Sequence, residues 1–64
     1  MRIRVPEPGV KEVKKGRIVE TVEVKGLPFK LVVIEDEGDG IIEYVDAAGR
    51  RRCFRWGMHG LETC

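Results

Sequence analysis

Aromatic residues are scarce in this chain: Phe29, Tyr44, Phe54 and Trp56 are the only ones, so any core that uses large rings must draw on these. Long apolar runs are missing as well. The longest is "LVVI" at residues 31–34, far short of the roughly 20 residues that a membrane-spanning helix needs. The N-terminal "MRIRVPEPG" lacks the apolar stretch of a signal peptide. A cytoplasmic location follows as the expectation, with no membrane partner. The eight glycines are scattered, and none forms a glycine-rich loop leading into a helix, which excludes a phosphate cradle of that kind. Histidine occurs once and cysteine twice, as Cys53 and Cys64. The Cys-x-x-Cys spacing of paired zinc ligands is absent. Net charge is only +1, too small for whole-molecule attraction to nucleic acid or to an anionic membrane.

What is present points to extended structure. A chain of 64 residues makes one domain, and a domain this small buries only about 60% of its unfolded surface. The apolar set is led by Val and Ile, whose branched Cβ suits a pleated sheet better than a helix. Charge is also segregated along the chain. Residues 1–34 hold eight Lys/Arg against four acids, residues 35–46 hold six acids and no base, and residues 47–64 hold four Arg against Glu62.

Hydrophobic periodicity predicts five strands. "RIRV" at 2–5 alternates Ile3 and Val5 with arginines until Pro6 and Pro8 stop it. "RIVETVEVK" at 17–25 places Ile18, Val22 and Val24 on one face and Val19, Thr21 and Glu23 on the other. "PFKLVVIE" at 28–35 is apolar on both faces, which predicts a central strand. "IIEYV" at 41–45 follows the acidic turn "DEGDG", and "RRRCFRW" at 50–56 follows the hairpin signal "DAAGR". "VKEVKKG" at 10–16 reads as a loop with one helical turn, and "GMHGLETC" as a loose end or short closing element. The fold class is therefore all-β: a small five-stranded antiparallel meander or barrel. Closure would hide one apolar face and two edges. In strand number and glycine-rich corners this resembles the SH3-like and OB-like small barrels in general shape.

Residues 49–60, "GRRRCFRWGMHG", concentrate the side chains able to recognise a ligand. Arginine supplies a planar fork for phosphate and an aromatic ring supplies a platform for an unpaired base. Arg50, Arg51, Arg52, Arg55 and Trp56, with Lys14 and Lys15, are thus candidate contacts for single-stranded nucleic acid or RNA. In a straight strand Arg52, Phe54 and Trp56 share one face and Arg51, Cys53 and Arg55 the other. Rings turned into the core could not stack on a base.

The competing reading gives the arginines to Glu35, Asp36, Glu37, Asp39, Glu43 and Asp46, in the two elements just before them. Cross-strand pairs would neutralise much of the charge. A protein-interaction or inhibitor role would then use the acidic 35–46 segment or an open sheet edge. A third reading is a designed fold with no evolved ligand. A zinc site from Cys53, His59 and Cys64 lacks a fourth strong ligand. A Cys53 nucleophile with His59 as base lacks an orienting group, so no enzymatic activity and no cofactor are expected. A Cys53–Cys64 bridge would contribute about 3 kcal/mol, but a reducing cytoplasm favours free thiols.

Overall fold

Prolines and glycines divide the chain into seven strands in a computed structural model that describes all residues, Met1–Cys64. β1 (Arg2–Pro6) buries Ile3 and Val5 and leaves its arginines in solvent. Pro6 and Pro8 then impose a single 3₁₀ turn over Glu7–Gly9. β2 (Glu12–Lys15) and β3 (Arg17–Glu23) are separated only by Gly16. β4 (Lys30–Glu35), β5 (Ile41–Val45), β6 (Arg51–Gly57) and β7 (Gly60–Thr63) complete the chain.

The strands form two antiparallel sheets, ordered β1-β4-β3 and β2-β5-β6-β7. This corrects the five-stranded barrel. The sheets do not join into a closed cylinder, and the acidic turn at 36–40 carries the chain from one sheet to the other instead of closing a hairpin. The central position of β4, between β1 and β3, agrees with its apolar character on both faces.

Crossing between sheets also occurs at Gly16, whose φ is +105°. A Cβ there would lie 2.9 Å from the Glu35 carbonyl oxygen and 3.1 Å from Ile34 Cγ2, so both the backbone conformation and the close approach to β4 call for glycine. The helical turn expected within 10–16 is replaced by β2, and the reason is tertiary. Val13 is opposite Tyr44 of β5, and Lys11 N–H donates to the Val45 carbonyl at 2.8 Å. The proline signal belongs to the 3₁₀ turn just before it.

In β3 a bulge at Val19 shifts the register, so Ile18 opposes Ile34 and Glu20 opposes Val33. Ile18 and Thr21 therefore share one face and Glu20 and Val22 the other, correcting the simple alternation expected there. The main core lies between the sheets: Ile3, Val5, Val32 and Ile34 from one, Ile42 and Tyr44 from the other. Val33 is buried but stands outside this cluster, on the opposite face of β4, between its cross-strand neighbours Arg4 and Glu20. Full burial of Ile34 or Ile42 stabilises by roughly 1.5–3 kcal/mol each.

Candidate functional site

The arginine strand β6 is the third strand of its sheet, and its register with β5 fixes the direction of every side chain. Arg52 opposes Tyr44 and Phe54 opposes Ile42, so Arg52, Phe54 and Trp56 share the core-facing side. Arg51, Cys53 and Arg55 lie on the outer side, as the alternation predicts. The shared inner side does not mean shared burial. Phe54 packs on the core and stacks with Tyr44 at a centroid distance of 6.3 Å, whereas Trp56 is 66% exposed. Trp56 and its cross-strand partner Leu61, itself 50% exposed, lie next to the β6–β7 turn, where Trp56 lines a shallow cavity with Met1, Asp36, Gly38 and Gly40. Met58, in the two-residue turn, is 95% exposed.

Three of the four arginines are engaged by carboxylates. Arg51 Nε lies 3.0 Å from Glu43 Oε1, Arg52 Nε donates to Asp46 Oδ2 at 3.1 Å, and Arg55 Nε lies 3.5 Å from Glu62 Oε2. Arg50 has no ion-pair partner. The two lysines sit at the far edge of the same sheet, on β2, where Lys14 Nζ is 3.2 Å from Glu12 Oε1 and Lys15 opposes Glu43. One strand, β5, separates Lys14 and Lys15 from Trp56 on β6, and Lys15 and Arg51 both neighbour Glu43.

The acidic segment is occupied from within. Asp36 Oδ2 accepts from the N–H groups of Gly38 at 3.2 Å and Gly40 at 2.8 Å, and its Oδ1 accepts from the Met1 ammonium at 2.8 Å. Asp46 repeats the arrangement: Oδ1 accepts from the N–H groups of Ala48 at 3.0 Å and Arg50 at 2.8 Å. Each aspartate thus holds its turn by bonding two and four residues ahead. The Met1 ammonium, followed by the Gly40 N–H, holds the Asp36 carboxyl below the ordinary range. The Arg50 N–H, helped by Arg52, does the same for Asp46. Glu35 receives Arg2 Nε on Oε2 and Arg17 Nη2 at 2.9 Å on Oε1, and these two hydrogen bonds depress its pKa. Asp39 caps Ile41 N–H at 3.1 Å, which leaves Glu37 as the acid of this segment without an internal partner.

Cys53 and Cys64 are joined in a disulfide, with Cα atoms 5.3 Å apart. The sequence leaves bridged and free thiols open, with a reducing compartment arguing against the bridge; the structure has it. Pairing of β6 with β7 explains it: Thr63 opposes Phe54, so Cys64 falls opposite Cys53, and Cys64 N–H donates to the Cys53 carbonyl at 3.2 Å. With both sulfurs bonded to each other, neither cysteine is a free thiolate that could attack a substrate or bind a metal. No helix is long and apolar enough to cross a membrane.

Sequence reasoning placed Trp56 in the contact set but overlooked Met58 and Leu61. Leu61 was hidden because β7 contains a single apolar residue. No protein-family model, curated protein or solved structure matches the chain.

Proposed function

We propose that the chain is a non-enzymatic binding module that docks a protein partner through the β6–β7 hairpin. The observation that carries this reading is the grouping of Trp56, Met58 and Leu61, three large apolar side chains at least half exposed on one hairpin. Trp and Met are enriched where protein surfaces meet, and burying such an anchor dominates the energy of an interface. The 35–46 segment is a poorer docking element, because its carboxylates other than Glu37 are already committed to turns and arginines.

The test is photo-crosslinking. With p-benzoylphenylalanine at Met58, illumination in extract of the source cells is expected to give a discrete protein adduct that disappears on Trp56→Ala. An adduct that forms equally well from Arg4, at the far edge strand, would remove this reading.

Nucleic acid remains the second reading, favoured by the exposure of Trp56 and by the unpaired Arg50. Its ligand would be single-stranded nucleic acid or RNA, stacked on Trp56, with phosphates drawn to Arg50, Arg51, Arg52 and Arg55. Three of those arginines would first have to leave carboxylates. It predicts quenching of Trp56 fluorescence by oligonucleotide with an affinity that falls steeply with salt; an unchanged emission spectrum rejects it.

A cytoplasmic module would work with Cys53 and Cys64 reduced, whereas the bridge persists in an oxidising compartment. Counting free thiols after rapid alkylation distinguishes the two settings.

A further inference from the structure

We infer that the partner of the hairpin is a second copy of this chain, paired edge to edge through β7 in antiparallel register about Leu61. The inference rests on the docking role of the hairpin and adds its occupant. Three of the four sheet edges are protected against pairing. β1 carries Arg2, Arg4 and Pro6; β2 carries an irregularity between Val13 and Lys15 and two lysines; β3 carries the Val19 bulge with Glu20 and Glu23. Such charges, prolines and bulges protect an edge from pairing. β7, "GLET", has none of these apart from Glu62, whose side chain is turned to Arg55 on the outer face.

Backbone direction supplies the second argument. Cys64 N–H donates to Cys53, so residues 53 and 64 form a hydrogen-bonded pair of the β6–β7 ladder. By the alternation of an antiparallel ladder, Arg55 with Glu62 and Gly57 with Gly60 are further pairs of that kind, while Trp56 with Leu61 is not. The N–H and C=O of Leu61 consequently point away from β6, toward the open edge.

Symmetry then selects the register. Cross-strand neighbours share a face, so a two-fold axis must pass beside a residue of β7 and not between two of them. Centring on Glu62 would set like charges directly opposite, which is destabilising. Centring on Leu61 sets Leu61 against its copy, Glu62 against Gly60, and Thr63 against His59. The two Leu61 backbones exchange hydrogen bonds, and the row Trp56–Leu61 continues without interruption into Leu61 and Trp56 of the second copy. Buried aromatic side chains cover about 150–250 Å² each, while a stable interface needs about 800 Å² per partner. A short edge with one such anchor per copy gives an association that depends on concentration.

Sedimentation equilibrium of the disulfide-intact chain tests this. The apparent mass is expected to rise from the 7.3 kDa of one chain toward twice that value with increasing concentration. A synthetic chain with an N-methyl group on Leu61 loses the outward donor and carries a methyl group in its place, while the hydrogen bonds of β7 to β6 are left intact. Its dissociation constant is expected to rise about tenfold, the effect of losing hydrogen bonds at the dyad. Leu61→Lys, which opposes two ammonium groups across the axis, is expected to leave a folded monomer by circular dichroism. A constant monomer mass at the highest soluble concentration overturns the inference, as does a dimer indifferent to both changes. A monomer whose Met58 still crosslinks a different protein in a Trp56-dependent way overturns the second-copy assignment and leaves hairpin docking intact.

Discussion

Glu35 holds three strands at one point, because Arg2 of β1 and Arg17 of β3 reach it from opposite sides of β4. Together with Asp36 and Asp46 it makes the fold sensitive to acid. All three carboxyls have pKa values lowered in the folded chain, so the unfolded chain takes up protons first as pH falls. Their stabilisation is complete above the ordinary carboxylate range of about 4 and is lost as pH drops through the lowered native values. Thermal midpoints measured from neutral pH downward should therefore fall below that range, and the fall should be shallower in Asp36→Asn, which is less stable at neutral pH. Gly16 gives a second prediction at this scale. Gly16→Ala combines a positive φ with a Cβ 2.9 Å from a carbonyl oxygen, and should cost about 1–3 kcal/mol in chemical denaturation. Gly49→Ala, with a φ of +82° but open space around it, should cost less.

At the scale of elements, the bridge and β7 belong together. The disulfide spans 11 positions of sequence and ties the last strand to β6, so a Cys53→Ala/Cys64→Ala variant should lose about 2–3 kcal/mol of stability. Its first sign should be faster amide exchange in β7 than in β5, because the unbridged edge strand opens locally before the whole domain does. Five strands were legible in the sequence because each carries enough alternating or clustered Val, Ile and aromatic residues to declare its period. β2 and β7 were not, since Val13 and Leu61 are the sole apolar residue of each. Their pairing is decided by Tyr44 and Trp56, which lie far along the chain or in the neighbouring strand. The arginines' alternation between faces was readable from spacing alone. The exposure of Trp56 was not, because it depends on what the other sheet places opposite the ring, which spacing along β6 does not record.

At the scale of the molecule, two small sheets share a core that is almost wholly aliphatic, with Tyr44 in it and Phe54 packed against it as the only rings. Ile42, with no exposed surface, belongs to one sheet and packs among residues of the other. Ile42→Ala should therefore destabilise the whole domain by about 2–5 kcal/mol, read as a shift in the urea midpoint with little change in slope. The same architecture explains why the barrel expectation was only half legible. The all-β character and antiparallel pairing lie in the sequence, but closure depends on whether the terminal strands meet, and no local pattern records that.

The pairing of β1 with β4 also governs how the chain reaches this state. β5, β6 and β7 are neighbours in sequence as well as in the sheet, so their meander can form without waiting for distant residues. β1 must search for a strand that begins at Lys30, across a loop that includes β2 and β3. Closing so long a loop is entropically slow. β1, which precedes every other strand, is therefore among the last to settle, and until it does, β4 offers a bare valine-rich flank to any other unfinished chain nearby.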